Sequence, residues 1–130
     1  MRVPKFRAWT EEGEVMYYDV YPFKDDTLLL SYDEIAFDEV PASDFILMQS
    51  TGLKDKKGEE IFEGDIVKFS DCDDDVYVTS VAWDKNYACF GVSFTGKYPT
   101  SFDYLEEFYT ELKNIEVVGN IWENPGLLRG

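Results

Sequence analysis

Histidine is absent from this sequence of 130 residues, and cysteine occurs only twice. Histidine is the commonest general base and a common metal ligand, so its absence removes the simplest catalytic and metal-binding arrangements. Cys72 and Cys89 match no zinc or redox spacing; they could meet across a hairpin, but a reduced pair is the simpler interpretation. The apolar surroundings of Cys89 favour a core position over an activated nucleophile. We predict no enzyme activity, no catalytic residue, no cofactor and no metal.

Basic side chains are scarce. The chain has 12 Lys and Arg against 27 Asp and Glu, which gives a formal net charge of −15. The excess is spread along the chain, with −7 in residues 1–50 (4 basic, 11 acidic), −5 in 51–80 (4 and 9) and −3 in 81–130 (4 and 7). Such a charge repels phosphate backbones and anionic membranes, so we expect no direct nucleic-acid or membrane binding.

Long apolar runs are also missing, and no segment is long enough to span a membrane. The first ten residues, MRVPKFRAWT, are charged and lack the apolar region of a secretory signal.

Aromatic residues are abundant at 17%, and hydrophobic residues make up 45% of the chain. Large rings suit half-buried pleated sheets, so this composition favours a mainly β fold in one domain, residues 1–130. Lys5–Trp9 and Val15–Val20 flank a turn and predict an N-terminal hairpin. Tyr21–Asp44 is less regular and predicts a short strand and loops, so we assign 1–44 to the hairpin and an irregular segment.

The stretch from Phe45 to Phe69, FILMQSTGLKDKKGEEIFEGDIVKF, has almost no slack between its elements. Phe45–Met48 predicts a buried strand, Asp55–Gly58 a glycine hairpin turn, and Glu63–Asp65 a tight turn between two further strands. Val76–Trp83 and Tyr87–Phe94 predict a second hairpin. A last strand is expected at Ile115–Ile121, after which Asn124-Pro125-Gly126 is expected to end ordered structure.

Residues 101–112 depart from the β pattern. Phe102, Leu105, Phe108, Tyr109 and Leu112 recur at spacings of three and four, which predicts one short helix with an apolar stripe.

An acidic loop invites a calcium interpretation, because Asp71, Asp73 and Asp75 match the first three ligand positions of an EF-hand loop. The match then fails: Val76 stands where glycine is needed, and Ala82 where a bidentate glutamate is needed. We interpret Asp71–Asp75 as a solvated loop.

Glu63 and Asp65 form a second acidic candidate, as a carboxylate pair for acid–base chemistry. Such a pair needs a cleft and separated pKa values, for which the sequence offers no sign. We interpret Gly64 as supplying an unusual backbone angle and Asp65 as accepting backbone N–H groups at the turn.

Lys5, Arg7 and Trp9 share one face of the first strand by alternation. We expect an exposed edge strand whose basic and aromatic side chains dock on the acidic surface of another copy, which predicts a homo-oligomer. The alternative is an ordinary exposed face with a cation–π contact.

Four segments together resemble the YopX family, a phage- and prophage-associated family of unknown function. They occur in that family's order and span almost the whole chain: Lys5–Trp9, Met48–Phe69, Val81–Asp84 and Val117–Pro125. The resemblance implies a β-rich fold, an SH3-like, partly open barrel in residues 45–124, a bacterial or phage source, and a cytoplasmic site of action. It transfers no catalytic residue, since none is assigned in the family.

Three functions remain open. The first is an accessory protein that acts through contacts with itself and with an unknown host or phage protein. The second is an acidic nucleic-acid mimic that occupies a host DNA- or RNA-binding protein. The third is a metal-dependent enzyme that uses carboxylates such as Glu63, Asp65 or Asp71–Asp75.

Overall fold

The fold is mainly β and antiparallel. The computed structural model describes residues 5–31, 37–71, 73–85, 88–92, 100–102, 105 and 114–128. These residues contain eleven strands, and the chain divides into two compact units, Met1–Ser50 and Thr51–Gly130.

The first unit is built from β1 to β4 and the beginning of β5, with strand order β4-β3-β2-β1-β5. A single 3-10 turn, Ala42–Asp44, precedes β5. The strands are β1 Phe6–Thr10, β2 Val15–Pro22, β3 Thr27–Ser31, β4 Phe37–Pro41 and β5 Ile46–Lys54.

Alternation along β2 and β3 places the core of the first unit on one sheet face. Val20, Leu28 and Leu30 are buried there with Ala8 of β1. Tyr21 and Leu29 alternate with these residues and pair with each other, so they lie on the opposite face.

The predicted N-terminal hairpin is confirmed, since β1 and β2 pair antiparallel across a turn at residues 11–14. The stretch predicted as irregular contains two strands rather than one. Its β4, Phe37–Pro41, pairs with β3 along its whole length but carries mostly exposed side chains. β4 therefore lacks the alternation of buried and exposed positions by which a half-buried strand can be recognised in a sequence.

The second unit begins within β5, whose neighbour in the sheet is β6. A further sheet has strand order β10-β9-β8-β7-β11, in which β7, β8 and β9 follow one another as hairpins. The strands are β6 Glu60–Phe62, β7 Asp65–Ser70, β8 Val76–Asp84, β9 Cys89–Val92, β10 Thr100–Ser101 and β11 Glu116–Asn120.

The core of the second unit joins strands and a helical segment. Phe102 and Leu105 are helical and buried against Val67, Val81 and Ile115. The predicted helix at 101–112 otherwise lies outside the described residues.

The described strands form two antiparallel sheets and no closed barrel. No helix within the described ranges is long and apolar enough to cross a membrane.

Two hairpin loops use the same hydrogen bonds. In each, the Oδ1 atom of an aspartate accepts hydrogen bonds from the N–H groups two and four residues later. Asp55 accepts from Lys57 and Glu59, both at 2.9 Å. Asp71 accepts from Asp73 at 2.9 Å and from Asp75 at 3.0 Å. In each, the aspartate N–H also donates to the carbonyl four residues on. The residue three positions after each aspartate has a positive φ, 84° at Gly58 and 65° at Asp74. The predicted left-handed glycine of the first loop is confirmed.

We predict that Gly58→Ala lowers the free energy of unfolding by about 1–2 kcal/mol, the cost of a left-handed L-residue. A Cβ at Gly58 meets no atom within 4 Å, so the loss isolates backbone strain from steric clash. Gly126 is the matched control, because its Cβ would also meet nothing and its φ is not in the left-handed region. Urea denaturation of both alanine variants measures the difference. Equal losses would contradict the prediction.

Candidate functional site

Asp55 connects its hairpin loop to the last strand of the second unit. Its Oδ2 accepts the N–H of Val117 at 2.9 Å, from a residue 62 positions later, while its Oδ1 holds the loop. The Lys56 N–H donates to the carbonyl of Ile115 at 2.8 Å beside it. Asp55 is buried, so this carboxylate supplies acceptors that water does not. We assign it a structural role.

Two lysines of the same loop pair with Glu116 of β11. Lys57 Nζ lies 2.6 Å from Oε1 and Lys56 Nζ lies 3.2 Å from Oε2. Hydrogen bonds from Lys57 and then from Lys56 hold the pKa of Glu116 below its usual range, and Glu116 in turn raises the pKa of Lys57. These pairs reinforce the connection that Asp55 makes.

The polar groups of the Glu63–Asp65 turn make hydrogen bonds within the fold. Oδ2 of the buried Asp65 accepts the N–H of Phe62 at 2.8 Å. The turn backbone at Gly64 donates to the carbonyl of Val81 at 2.8 Å and accepts from the N–H of Ile121 at 2.9 Å. Asp65 therefore accepts a backbone N–H as the sequence predicts, and the turn joins β8 to the residue that follows β11.

The acidic loop is organised around Asp71. Beyond the two N–H groups on its Oδ1, its Oδ2 accepts the Tyr77 hydroxyl at 3.0 Å. Desolvation acts to raise the pKa of Asp71, but the hydrogen bonds from Tyr77, Asp75 and Asp73 outweigh it and hold the pKa below its usual range. Among the residues that the structure describes, no three acidic or cysteine side chains form a group that could hold a metal ion.

Cys89 lies half-buried at the first position of β9, opposite Asp84. It is not among the buried residues of the second core, where the sequence placed it. Cys72 lies outside the described residues.

The C-terminal segment is held by two asparagines. Asn120 Oδ1 accepts the N–H groups of Trp122 and Glu123 at 3.0 and 2.8 Å. Asn124 Oδ1 accepts the Asn120 N–H at 3.2 Å, and the Asn124 N–H donates to the Asn120 carbonyl at 2.9 Å. The prediction that order ends at Asn124–Gly126 is wrong, because a 3-10 turn follows at Pro125–Leu128 and contacts β8.

Gly119 lies directly against this asparagine turn. A Cβ at position 119 would be 2.6 Å from Oδ1 of Asn124 and 3.0 Å from its Cβ. The turn can close as it does only because residue 119 has no side chain.

Of the basic–aromatic face predicted on the first strand, only Lys5, which precedes β1, is exposed. Arg7 is 2% exposed and Trp9 is 5% exposed. β1 lies between β2 and β5, so the prediction of an exposed edge strand is wrong. Arg7 Cζ lies 6.0 Å from the centroid of the Tyr18 ring, so the cation–π contact of the alternative interpretation is present, although the exposed face of that interpretation is not.

An exposed group of rings lies instead around the end of β2 and the start of β4, where Tyr21 and Phe37 are on the sheet face opposite the core. Tyr21, Phe23 and Phe37 are 44%, 53% and 51% exposed. The rings of Tyr21 and Phe37 meet edge to face at 5.9 Å between centroids. Lys24 Nζ lies 5.4 Å from the centroid of the Phe23 ring and 3.7 Å from Oε2 of Glu39. Glu39 is in the same cross-strand row as Tyr21, because both pair with Leu29. We call Tyr21, Phe23, Phe37 and these two charged residues the aromatic surface.

The sequence interpretation missed the aromatic surface because it falls in Tyr21–Asp44. That segment is predicted to contain only a short strand and loops, so no pairing of two strands is expected there. Only the pairing of β3 with β4 brings Phe37 over to Tyr21.

Comparison with known proteins gives a consistent result. The family model described as YopX protein matches residues 5–129. The chain is 27% identical to EF1440 from Enterococcus faecalis, whose crystal structure superposes with a TM-score of 0.70 over 98% of this chain and 99% of that one. It is 26% identical to yopX from Bacillus subtilis, with a TM-score of 0.63 over 95% and 97%. No curated protein matches the chain.

We predict that Asp55→Asn lowers the free energy of unfolding by about 1–3 kcal/mol. Its amide would either point an N–H group at the Val117 N–H or remove an acceptor from the loop. Asp71→Asn is the matched control and should cost less, because the Tyr77 hydroxyl can rotate to accept from the amide. Chemical denaturation of both variants tests this, and a larger loss at Asp71 would contradict it.

We predict a pH-dependent contribution from Glu116. Because its folded pKa is below the ordinary 4.5, its contribution is present above about pH 4.5 and is lost as pH falls through the lowered value. The raised pKa of Lys57 has the opposite sense, so its contribution is lost only in strong alkali. The stability difference between the wild type and Glu116→Gln should therefore shrink between neutral pH and about pH 3. The same difference, measured in a background in which Lys56 and Lys57 are both replaced by glutamine, should not shrink.

Proposed function

The chain belongs to the YopX family, and we propose that it is a phage or prophage accessory protein that acts in the cytoplasm through contacts with other proteins. It catalyses no reaction and binds neither nucleic acid nor membranes directly in this proposal. The observation that carries it is the aromatic surface of the first unit.

Exposed clusters of large apolar side chains are uncommon on soluble proteins and mark sites of association. Tyrosine and phenylalanine are enriched in protein interfaces, because each ring offers a large contact area at small entropic cost. Tyr21, Phe23 and Phe37 are each at least 44% exposed, and Tyr21 and Phe37 touch each other. They therefore supply the kind of anchor that a partner protein can cover.

The contacts of the acidic residues support an enzymatic function less well than the accessory function proposed above. Asp65 and Asp71, the best placed carboxylates of the two sequence candidates, accept hydrogen bonds that hold their own turns. An acid–base or metal-binding role needs carboxylate oxygens directed at a ligand. Both side chains are better explained as parts of the fold.

A nucleic-acid mimic is also less well supported. It requires rows of carboxylates spaced like the phosphates of a duplex. Asp55, Asp65, Asp71 and Glu116 are instead engaged with backbone N–H groups, a tyrosine or lysines. The acidity serves local structure at these four positions.

We extend the proposal to self-association, which the sequence also predicts. Burial of Arg7 and Trp9 removes the surface first suggested for it, so any contact between copies uses another face. Light scattering of the purified chain tests this part separately.

The SH3-like, partly open barrel proposed for residues 45–124 stays an architectural proposal. It is supported by the successive hairpins of β7, β8 and β9 and by the neighbouring β11. Small barrels carry many unrelated activities, so this architecture would not by itself assign one.

We predict that the immobilised full chain captures a specific protein from lysate of its host bacterium. Phe37→Ser and Tyr21→Ser should each reduce that capture about tenfold, since single aromatic anchors often dominate an interface. Val76→Ser is the matched control, because Val76 is 59% exposed and lies in the second unit. Quantitative mass spectrometry measures the capture. A strictly monomeric chain that captures no protein would refute the proposed function.

A further inference from the structure

Acidic side chains surround the aromatic surface. The Tyr21 hydroxyl is hydrogen bonded to Asp19, which raises the pKa of Tyr21. Glu39 stands in the same cross-strand row as Tyr21, and Asp25 and Asp26 are exposed in the turn between β2 and β3. Residues 1–50 as a whole carry a net charge of −7. Carboxylates therefore outnumber the one lysine in this part of the first unit.

The one lysine of the aromatic surface shows how a cation fits it. Lys24 Nζ lies 5.4 Å from the Phe23 ring centroid and 3.7 Å from a Glu39 oxygen. A ring face and a carboxylate thus contact the same ammonium group. Lysine and arginine side chains from outside can be bound in the same two ways, by cation–π contact with a ring and by pairing with an acid.

A second copy of this chain fits the aromatic surface poorly. If the two surfaces met face to face, Glu39 and the aspartates of one copy would oppose those of the other. Docking against a basic region of a second copy is not favoured either, because each copy carries a net charge of −15 and its exposed lysines lie in different elements of the fold. Lys5 precedes β1, Lys54 ends β5, Lys68 lies in β7 and Lys85 follows β8, while Lys56 and Lys57 pair with Glu116.

Building on the proposed function, we propose that the aromatic surface binds a cationic segment of a partner protein. Lysine or arginine side chains of that segment pair with Asp19, Glu39 and the acidic turn, and their stems and apolar neighbours lie on Tyr21, Phe23 and Phe37. Charge complementarity selects the partner and speeds its encounter, while the rings supply the contact area.

The first test maps binding on the wild-type chain. The probe is a synthetic twelve-residue peptide that alternates arginine and valine, and its control alternates serine and valine. Backbone amide shifts of the isotope-labelled full chain should move at residues 19–26 and 37–39 with the arginine peptide only. The affinity should fall steeply between about 50 and 300 mM salt, because exposed charges are then screened.

The second test separates this surface from the general negative charge. Glu39→Lys should weaken the arginine peptide about tenfold, as expected for a charge reversal inside an interface. Glu11→Lys makes the same change in net charge in the exposed turn at the other end of β2, and should have little effect. Phe37→Ser should also weaken binding, whereas Val76→Ser should not.

Equal weakening by Glu39→Lys and Glu11→Lys, or shifts confined to other parts of the chain, would overturn this inference. So would a captured protein whose binding is unchanged by Glu39→Lys and Phe37→Ser, although the proposed function would then stand. A strictly monomeric chain that binds neither peptide and captures no protein would overturn both. Reduced binding of one captured protein by Glu39→Lys and Phe37→Ser, with Glu11→Lys unaffected, supports both.

Discussion

A single buried carboxylate, that of Asp55, accepts three backbone N–H groups from two distant parts of the chain. Two come from its own hairpin loop and one from Val117 in β11. A buried N–H group without an acceptor is costly, so the loop and the last strand each depend on this side chain. The lysines that follow it are thereby placed beside Glu116, and the backbone of Lys56 meets the carbonyl of Ile115. The many polar residues in this part of the sequence therefore serve to hold the fold together.

The sequence predicts those parts of the structure that depend on neighbouring residues. The Asp55–Gly58 turn follows from local turn chemistry, and its left-handed glycine is found as expected. The hydrogen bond between Asp55 and the Val117 N–H joins residues 62 positions apart, so no local pattern in the sequence indicates it. Whether β1 lies at an edge or in the middle of a sheet depends on β5, which is distant in sequence, so the exposure assigned to Arg7 and Trp9 was wrong. The aromatic surface was missed for the same reason, since Phe37 joins Tyr21 only through strand pairing.

Two groups among the acidic residues have different consequences. Asp55, Asp65 and Asp71 accept backbone N–H groups, so their charge is used within the chain. Others surround exposed rings in the first unit, where their charge faces solvent. The net charge of −15 counts both groups alike, whereas in our proposal only the exposed carboxylates near the rings select a partner. The location of each carboxylate is therefore more informative than their sum.

The contact between Gly119 and Asn124 also bears on how relatives of this chain can vary. Because the amide of Asn124 fills the space that a side chain at position 119 would need, the two positions form one steric unit. A larger residue at 119 requires a different residue, or a different backbone path, at 124. Independent substitution at these two positions is therefore disfavoured. In a comparison of distant sequences, the two positions are more informative as a pair than when each is scored separately.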